Sequence, residues 1–303
     1  MRFSRFIGIL LIAALLIGCA LLFLMRGDVT KVSDKAALDA ALATPTPGPT
    51  PEGGTPVPTP ETYSTPEPTA TPEPTPTEEP TPDPDSPAGR AAALGLPRPP
   101  EIDIDSWEFT LVNGDHSIGQ YAPEQLAYLN TTLAQTDISS VPDGNRIPVD
   151  ARIAQALVDM ALGCKQAGLP VFLSSGYRSY TEQAANFQRI CQNNGITDGK
   201  DANGHYITMP AGCSEHQLAL CCDITDVYRA VKNDSIAELP TVQWLGEHCA
   251  EYGFILRFPT DKRDVTQVMG ESWHFRYVGM DAARYIMDNH LCLEEFIALY
   301  KDI

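Results

Sequence analysis

Hydrophobic residues divide the chain into three parts. Residues 6–25 form an uninterrupted apolar run without a charge, and residues 44–87 contain almost only Thr, Pro, Glu, Gly, Ser and Asp. From Glu101 onward, apolar positions recur with the spacings typical of helices and strands. Because a helix of that first run would be about 30 Å long, it could cross the core of a bilayer. The pattern predicts an anchor, a spacer and one folded domain.

Within the folded part, the apolar spacing predicts a mixture of helices and strands. Strands are predicted at residues 107–112, 171–175, 220–225, 254–258 and 274–278, and helices at residues 123–135, 149–167, 182–193, 242–252 and 281–289. The two types of element follow each other without a strict βαβ alternation. This order favours an α+β fold over a parallel α/β sheet.

The apolar run is predicted to be an uncleaved transmembrane helix. Arg2 and Arg5 precede it, which favours a cytoplasmic amino terminus and an exported remainder. A cleaved signal peptide would have a shorter apolar stretch and a small-residue cleavage site. A second alternative is a lipoprotein signal with Cys19 as the lipidated residue, although the apolar run continues for six residues beyond it. Each alternative places the folded domain outside the cell membrane.

The boundaries follow from composition. Residues 1–26 are interpreted as a cytoplasmic stub and membrane anchor, residues 27–100 as a juxtamembrane segment and disordered linker, and residues 101–303 as the folded domain. The repeated Thr-Pro and Glu-Pro pairs of the linker remove backbone donors and offer no apolar core, so an extended, polyproline-rich spacer is expected.

Charge and cysteine content narrow the possible partners. Acidic residues outnumber basic ones by 39 to 21, for a net charge of −18, which argues against nucleic acid as a partner. Seven of the eight cysteines lie in the predicted exported part. Because seven is odd, at least one thiol has no partner within the chain, and up to three disulfides remain possible.

Two short motifs carry the candidate chemistry. Ser214-Glu-His-Gln-Leu-Ala-Leu-Cys-Cys-Asp223 supplies an imidazole and a carboxylate, and Glu271-Ser-Trp-His274 supplies a second pair. Asp223 falls within a predicted apolar strand, where a carboxylate is costly unless it is paired or bound to a metal. Two imidazoles and a carboxylate suit zinc, and a zinc hydrolase also needs a nearby base for its water. A surface histidine or a salt-bridged aspartate is the simpler explanation for each residue taken alone.

Several segments, in this order, resemble the VanY-type D-alanyl-D-alanine carboxypeptidases, zinc peptidases of family M15, subfamily B. The similar segments are Leu111-Val-Asn113, Ser175-Gly-Tyr-Arg-Ser179 with Gln183, Gly212–Asp223, Gly253-Phe-Ile-Leu-Arg257 and Trp273-His-Phe-Arg-Tyr-Val-Gly279. The resemblance implies a small antiparallel sheet with flanking helices, the fold shared with the hedgehog signalling domain. It covers most of residues 107–290.

The resemblance also implies roles for individual residues. It implies Zn²⁺ as the cofactor, Glu271 as the catalytic base, and the metal ligands His216, Asp223 and His274. Arg178, Gln183 and Ser214 would hold the terminal carboxylate and scissile carbonyl of the substrate, and Arg178 would also stabilise the developing oxyanion. A guanidinium suits a carboxylate because it can bind both oxygens. Trp273 is more simply a core residue, but it could form a wall of the substrate pocket.

The expected function is release of the C-terminal D-alanine from peptidoglycan stem peptides by a monomeric, membrane-anchored enzyme in which Glu271 activates a zinc-bound water. An L,D-carboxypeptidase acting on tetrapeptide stems and a non-catalytic protein that binds wall peptides remain alternatives. The chain departs from the family pattern at Ala219, where the family usually has Gly, and at Cys221, where it has Ala. Strand alternation places Cys221 on the same face as Asp223, where it could approach a metal or pack as a small apolar group.

Overall fold

The computed structural model describes residues 81–129, 139–140 and 147–303. Among these residues, no helix combines the length and the hydrophobicity that crossing a bilayer requires. The predicted anchor at residues 6–25 and most of the predicted linker lie outside the described residues, so both stay predictions.

Short helices surround a small sheet. The helices are α1 (Pro87–Ala93), α2 (Ala154–Gln166), α3 (Tyr180–Asn194), α4 (Pro240–His248), α5 (Arg263–Thr266), α6 (Met280–Asp288) and α7 (Leu293–Ala298). The strands are β1 (Leu126–Tyr128), β2 (Ser139–Ser140), β3 (Pro148–Asp150), β4 (Phe172–Ser175), β5 (Cys221–Thr225), β6 (Phe254–Phe258) and β7 (Glu271–Tyr277).

The larger sheet has the strand order β2-β4-β5-β7-β6. The pairs β4–β5, β5–β7 and β6–β7 are antiparallel, whereas the short β2 pairs with β4 in parallel. Strands β1 and β3 form a separate antiparallel pair. The α+β prediction is therefore confirmed in outline, with one parallel pair at the edge of a largely antiparallel sheet.

Two apolar clusters cover the sheet. One lies under α2 and α4 and contains Leu157, Leu173, Cys222 and Phe275, all without solvent exposure. The other joins α1, α6 and α7 to β6, where Ile255 faces it. Because β5 alternates, Cys222 points into the first cluster while its two neighbours face the other side.

Three of the predicted elements differ from the structure, two of them because strand pairing overrides the local pattern. The predicted strand at residues 107–112 contains instead a 3₁₀ turn, Trp107–Phe109, whose tryptophan stacks on Tyr277 with ring centroids 5.9 Å apart. The predicted helix at residues 149–167 begins only at Ala154, because Pro148–Asp150 pair with β1. Strand β1 (Leu126–Tyr128) lies within the helix predicted at residues 123–135. The end of that predicted helix lies outside the described residues.

The folded domain begins before residue 101, which corrects the predicted boundary. Ser86 caps α1, and Ala91 on this helix is fully buried in the cluster with α6 and α7. Tyr285 donates to the Pro97 carbonyl (2.7 Å) and Tyr300 to the Pro100 carbonyl (2.6 Å). Proline-rich composition suggested a disordered spacer here, but prolines leave their carbonyls free to accept hydrogen bonds from the domain.

All seven cysteines of the described residues are free and buried. Burial raises the pKa of the Cys249 thiol and of the Cys292 thiol to about 12 in each case. These thiols are packed as small apolar groups. The possible disulfides considered from the sequence are not formed.

Candidate active site

The sheet register brings the two motifs together. In the β5–β7 pair, Asp223 lies directly opposite His274. His216 lies on a 3₁₀ turn, Glu215–Gln217, a few residues before β5, and its ring approaches that of His274 edge-on with centroids 5.0 Å apart. The three residues are at most 7 % exposed. A spacing of more than fifty residues in sequence thus becomes direct contact in the fold.

The ring of His216 is held by its Nδ1 atom. Nδ1 lies 2.7 Å from the Gly176 carbonyl oxygen, which can only accept, so this nitrogen carries the proton. Nε2 is left free and lies 3.5 Å from Asp223 Oδ1. Gly176 must be glycine because a Cβ there would meet the Pro148 carbonyl oxygen at 2.3 Å. Burial lowers the pKa of His216 to about 3, and the nearby Arg178 adds to the effect.

His274 and Glu271 face the same cleft although they are three residues apart in β7. Strict alternation would place them on opposite faces. The β6–β7 register shifts between Leu256 and Phe258, however, and this irregularity turns the start of β7. Glu271 Oε2 lies 3.5 Å from His274 Nδ1. Burial raises the pKa of Glu271 above its ordinary value, as is common for a carboxyl group that takes up and releases a proton in a reaction.

Asp223 is surrounded by cationic and imidazole groups. Its Oδ1 lies 3.2 Å from His274 Nδ1, and its Oδ2 accepts from Lys232 Nζ at 2.8 Å. Burial raises the pKa of Asp223, but Lys232 and the imidazoles outweigh burial and hold it well below its usual range. The carboxylate is therefore ionised, with one oxygen paired to lysine and the other directed at the histidines.

Arg178 is oriented by its neighbours. Its Nη1 donates to Gln183 Oε1 (2.5 Å) and its Nη2 to Ser175 Oγ (3.2 Å). Gln183 is itself fixed by donating to the Met209 carbonyl oxygen (2.5 Å). The backbone N–H of Arg178 donates to the His216 carbonyl oxygen (3.0 Å), which ties this arginine to the first motif. The Arg178 guanidinium group therefore has a defined orientation next to the histidines.

All the predicted site residues line one cleft of about 230 Å³. Its lining includes the predicted substrate-binding residues Arg178, Gln183, Ser214 and Trp273, and the predicted metal ligands and base His216, Asp223, Glu271 and His274. Trp273 combines both interpretations, because it is 6 % exposed and packs on Ile236 and Val242 while forming one wall. The geometry brings the residues together, and their individual roles stay predictions.

Comparison with known proteins decides the family. The family model described as VanY: D-alanyl-D-alanine carboxypeptidase matches residues 146–280. A D-alanyl-D-alanine carboxypeptidase of Enterococcus faecalis (strain ATCC 700802 / V583) is 32% identical over 205 residues, which are 66% of this chain and 69% of that protein. The chain belongs to the VanY family of D-alanyl-D-alanine carboxypeptidases. It is a carboxypeptidase.

Two solved structures extend the similarity of this VanY-family chain. The LdcB LD-carboxypeptidase is 31% identical, with a TM-score of 0.54 over 64% of this chain and 86% of that one. VanYB in complex with D-Alanine-D-Alanine is 30% identical, with a TM-score of 0.50 over 65% of this chain and all of that one (100%). This chain is therefore similar in fold both to VanYB, which was solved with D-Alanine-D-Alanine, and to the LdcB LD-carboxypeptidase.

The donor types of this VanY-family site suit a zinc ion, and two of the distances between donor atoms agree with one. In a tetrahedral site with bonds of about 2.0–2.1 Å, ligand atoms lie roughly 3.3–3.4 Å apart. His216 Nε2 and His274 Nδ1 lie 3.5 Å and 3.2 Å from Asp223 Oδ1. The other polar atom of each side chain has a different partner. His216 Nδ1 contacts Gly176, His274 Nε2 contacts Glu215, and Asp223 Oδ2 contacts Lys232. The remaining donor atoms, His216 Nε2, Asp223 Oδ1 and His274 Nδ1, face one another.

Cys221 offers a competing ligand set. Potential ligand atoms of His216, Cys221 and His274 lie within 4.8 Å of one another, as do those of Asp223, Glu271 and His274. The Cys221 sulfur lies 3.6 Å from His216 Nδ1, however, on the side of the ring that binds Gly176. Burial also raises the pKa of this thiol. A protonated thiol packed behind the ring agrees with the packing interpretation.

Two residues that contact this site, Glu215 and Lys232, are not identified by any sequence motif. Lys232 reaches Asp223 from the loop after β5, and Glu215 accepts from His274 Nε2 at 3.2 Å. Glu215 stands inside the first motif, between Ser214 and His216, but a glutamate in a 3₁₀ turn looks like a surface residue. Its side chain is only 1 % exposed. No sequence signal identifies Lys232.

Proposed function

We propose that this chain is a zinc-dependent D,D-carboxypeptidase that releases the C-terminal D-alanine from peptidoglycan stem peptides. The observation that carries this proposal is the convergence in one cleft of an oriented guanidinium, the donor atoms of two histidines and an aspartate, and a carboxylate with a raised pKa. The complex of VanYB with D-Alanine-D-Alanine supports the substrate class, because that protein shares the fold and 30% of the aligned residues.

The protein groups divide the work between binding and proton transfer. Arg178, held by Gln183 and Ser175, would bind the free terminal carboxylate of the peptide through two N–H donors. This contact selects free C-termini and sets the distance from the carboxylate to the scissile carbonyl. Ser214, buried at the edge of the cleft, adds a hydroxyl near the same end.

Glu271 is the proton carrier of the proposed reaction. Its Oε2 takes a proton from the attacking water and delivers it to the departing amine nitrogen of D-alanine. His216, Asp223 and His274 would hold the metal. A Zn²⁺ ion bound there would lower the pKa of its water toward about 7 and polarise the scissile carbonyl. As the carbonyl oxygen becomes negative, the Arg178 guanidinium stabilises it electrostatically.

The test compares two substrates. The full-length chain, loaded with zinc, is incubated with a stem pentapeptide ending in D-Ala-D-Ala and with the tetrapeptide that lacks the last residue, and released D-alanine is quantified. We expect faster release from the pentapeptide. Glu271→Gln should lower the rate by about 10²- to 10⁴-fold, the usual contribution of general acid–base catalysis. Glu238→Gln, at an exposed position, is the matched control. Full activity of Glu271→Gln would refute the mechanism.

An L,D-carboxypeptidase is the second candidate. It is favoured by the similarity to the LdcB LD-carboxypeptidase, with 31% identity and a TM-score of 0.54. The two substrates distinguish the candidates directly, since preferential release from the tetrapeptide would replace the D,D assignment by the L,D one.

We also propose that the enzyme works outside the cell membrane as a monomer on a stalk. The uncharged run at residues 6–25, the arginines before it and the proline-rich residues after it support this placement. Protease added to intact cells should cleave the domain from the membrane fraction. Recovery of the whole chain in the cytosolic fraction would contradict the proposal.

A further inference from the structure

Glu215 connects the candidate metal site to a buried network of charges. Its Oε2 lies 3.2 Å from His274 Nε2, while its Oε1 accepts from Arg257 Nε at 2.6 Å and from Arg276 Nη1 at 2.7 Å. The two arginine side chains have no solvent exposure. Two salt bridges to guanidinium groups, both through Oε1, hold the Glu215 side chain as a hydrogen-bond acceptor. Glu215 is therefore an ionised carboxylate.

We infer that Glu215 is a positioning residue that keeps the proton of His274 on Nε2 and leaves Nδ1 free for the metal. An ionised carboxylate can only accept hydrogen bonds, so the nitrogen that faces it must donate. The other nitrogen, Nδ1, faces Asp223 Oδ1, 3.2 Å away, and is the atom that would bind the metal. A carboxylate behind a metal-bound imidazole fixes the ring orientation and raises its basicity. The inference rests on the metal site of the proposed function.

The surrounding contacts hold this carboxylate in place. Arg257 forks onto Glu294 of α7 with bonds of 2.8 and 2.6 Å, and Arg276 Nη2 donates to the carbonyl oxygens of Glu108 and Thr110 at 2.9 and 3.0 Å. Buried ion pairs are costly to desolvate, and apolar residues of the same volume often stabilise a core equally well. An apolar core, however, would leave the Nε2 proton of His274 without an acceptor.

The alternative is that Glu215 only cross-links the core, and one substitution separates the two roles. Glu215→Gln keeps the shape of the side chain. If its amide oxygen continues to accept from the two arginines, its NH₂ group faces His274 Nε2 and requires an acceptor there. The imidazole proton would then move to Nδ1, the atom that the metal needs. Glu294→Gln is the matched control, because it weakens the same arginine network through Arg257 without touching His274.

The experiment measures zinc affinity of the full-length chain by competition with a chromophoric chelator, together with urea unfolding of each metal-free variant. We expect Glu215→Gln to weaken zinc binding by about 10- to 100-fold, the usual effect of removing such a partner, and Glu294→Gln to leave it unchanged while also lowering stability. Equal zinc affinity of wild type and Glu215→Gln would overturn the inference but not the proposed function. Failure of the wild type to bind zinc would overturn both.

A second measurement needs no variant and therefore does not depend on whether Glu215→Gln folds. In the zinc-loaded wild type with ¹⁵N-labelled histidine, long-range ¹H–¹⁵N spectra identify which nitrogen of each ring carries the proton. The inference expects a hydrogen-bonded proton on Nε2 of His274 and the metal on Nδ1. Zinc on Nε2 of His274 would refute it, because Glu215 would then face the wrong atom.

Discussion

Ala219 has a left-handed backbone conformation, with φ of 62°, in the turn between His216 and β5. Its N–H donates to the His216 carbonyl oxygen at 3.3 Å and its carbonyl oxygen accepts from the Asp150 N–H at 2.9 Å, so both of its peptide groups are held. This geometry explains why a glycine is usual at this position of the family, since an L-residue there costs about 1–2 kcal/mol. The alanine at position 219 therefore strains the backbone and does not change the reactive groups of the site.

We predict that Ala219→Gly is neutral or stabilising by up to about 1 kcal/mol, because relief of strain of about 1–2 kcal/mol exceeds the lost burial of one methyl group, about 0.8 kcal/mol. Ala161 is equally buried but helical, and Ala161→Gly should instead destabilise by about 1–2 kcal/mol. Urea unfolding gives both values. Equal destabilisation by the two substitutions would show that Ala219 is not strained.

Arg178→Lys tests whether the geometry of the guanidinium matters beyond its charge. Lysine keeps the positive charge but cannot bind Gln183, Ser175 and both oxygens of a carboxylate at once. Hydrogen bonds to charged groups contribute about 1.5–3 kcal/mol, so kcat/KM for the pentapeptide should fall by roughly 10- to 100-fold. Arg98→Lys, at an exposed position outside the cleft, should leave it unchanged. Unaltered kinetics of Arg178→Lys would exclude a bidentate clamp.

At the scale of elements, helix α1 lies in a segment that its proline-rich composition predicts to be disordered. A short helix between proline-rich segments has no reason to form alone, since isolated helices of this length are unstable in water. It forms because Ala91 lets it approach α6 and α7 closely and because Tyr285 and Tyr300 bind the chain after it. The folded domain therefore needs these residues even though they lie far from the cleft.

Ala91→Asp should detach α1, because it places a carboxylate where the structure offers no exposure. We expect a loss of about 2–4 kcal/mol in unfolding free energy, typical of burying an unpaired charge, whereas Ala92→Asp, on the exposed face, should change it by less than about 0.5 kcal/mol. Urea unfolding of the metal-free full-length chain measures both. A similar small change in the two variants would mean that α1 does not contribute to stability.

The strands that carry the site could be predicted from the sequence, because β5 and β6 are short apolar runs bounded by turn residues. The irregular register of β6 with β7 could not, since it depends on how Phe258 and Glu271 pair across the sheet. Without that register shift, Glu271 and His274 would not face one cleft. The resemblance to the VanY family predicts this association independently of the register.

The sequence is least informative about the whole molecule, where charged residues form part of the core. Arg257, Arg276, Glu215 and Glu294 look like surface positions in a chain with a net charge of −18, yet all four are buried. Their burial depends on contacts between β6, β7, α7 and the first motif, which no local pattern encodes. This network joins the amino-terminal and carboxyl-terminal parts of the domain beneath the site.

The same network predicts how stability depends on pH. Burial raises the pKa of Glu294, but Arg257 outweighs it, so the pKa in the folded state lies below the ordinary 4.5, and Glu215 is shifted in the same direction. Below about pH 4.5 the unfolded state takes up protons that the folded state does not, so the unfolding free energy must fall with falling pH, by up to about 1.4 kcal/mol per pH unit for each carboxylate. Above that pH the contribution is fully present.

Urea unfolding of the metal-free chain between about pH 3 and pH 6 would measure this decline. Glu294→Gln removes one of the two carboxylates, so its unfolding free energy should be lower than that of the wild type near neutral pH but should decrease less steeply in acid. Glu238→Gln, whose side chain is exposed, should follow the wild type. If Glu294→Gln and the wild type lose stability with the same slope, Glu294 is not held ionised by Arg257, and the buried charges do not act as one network across the domain.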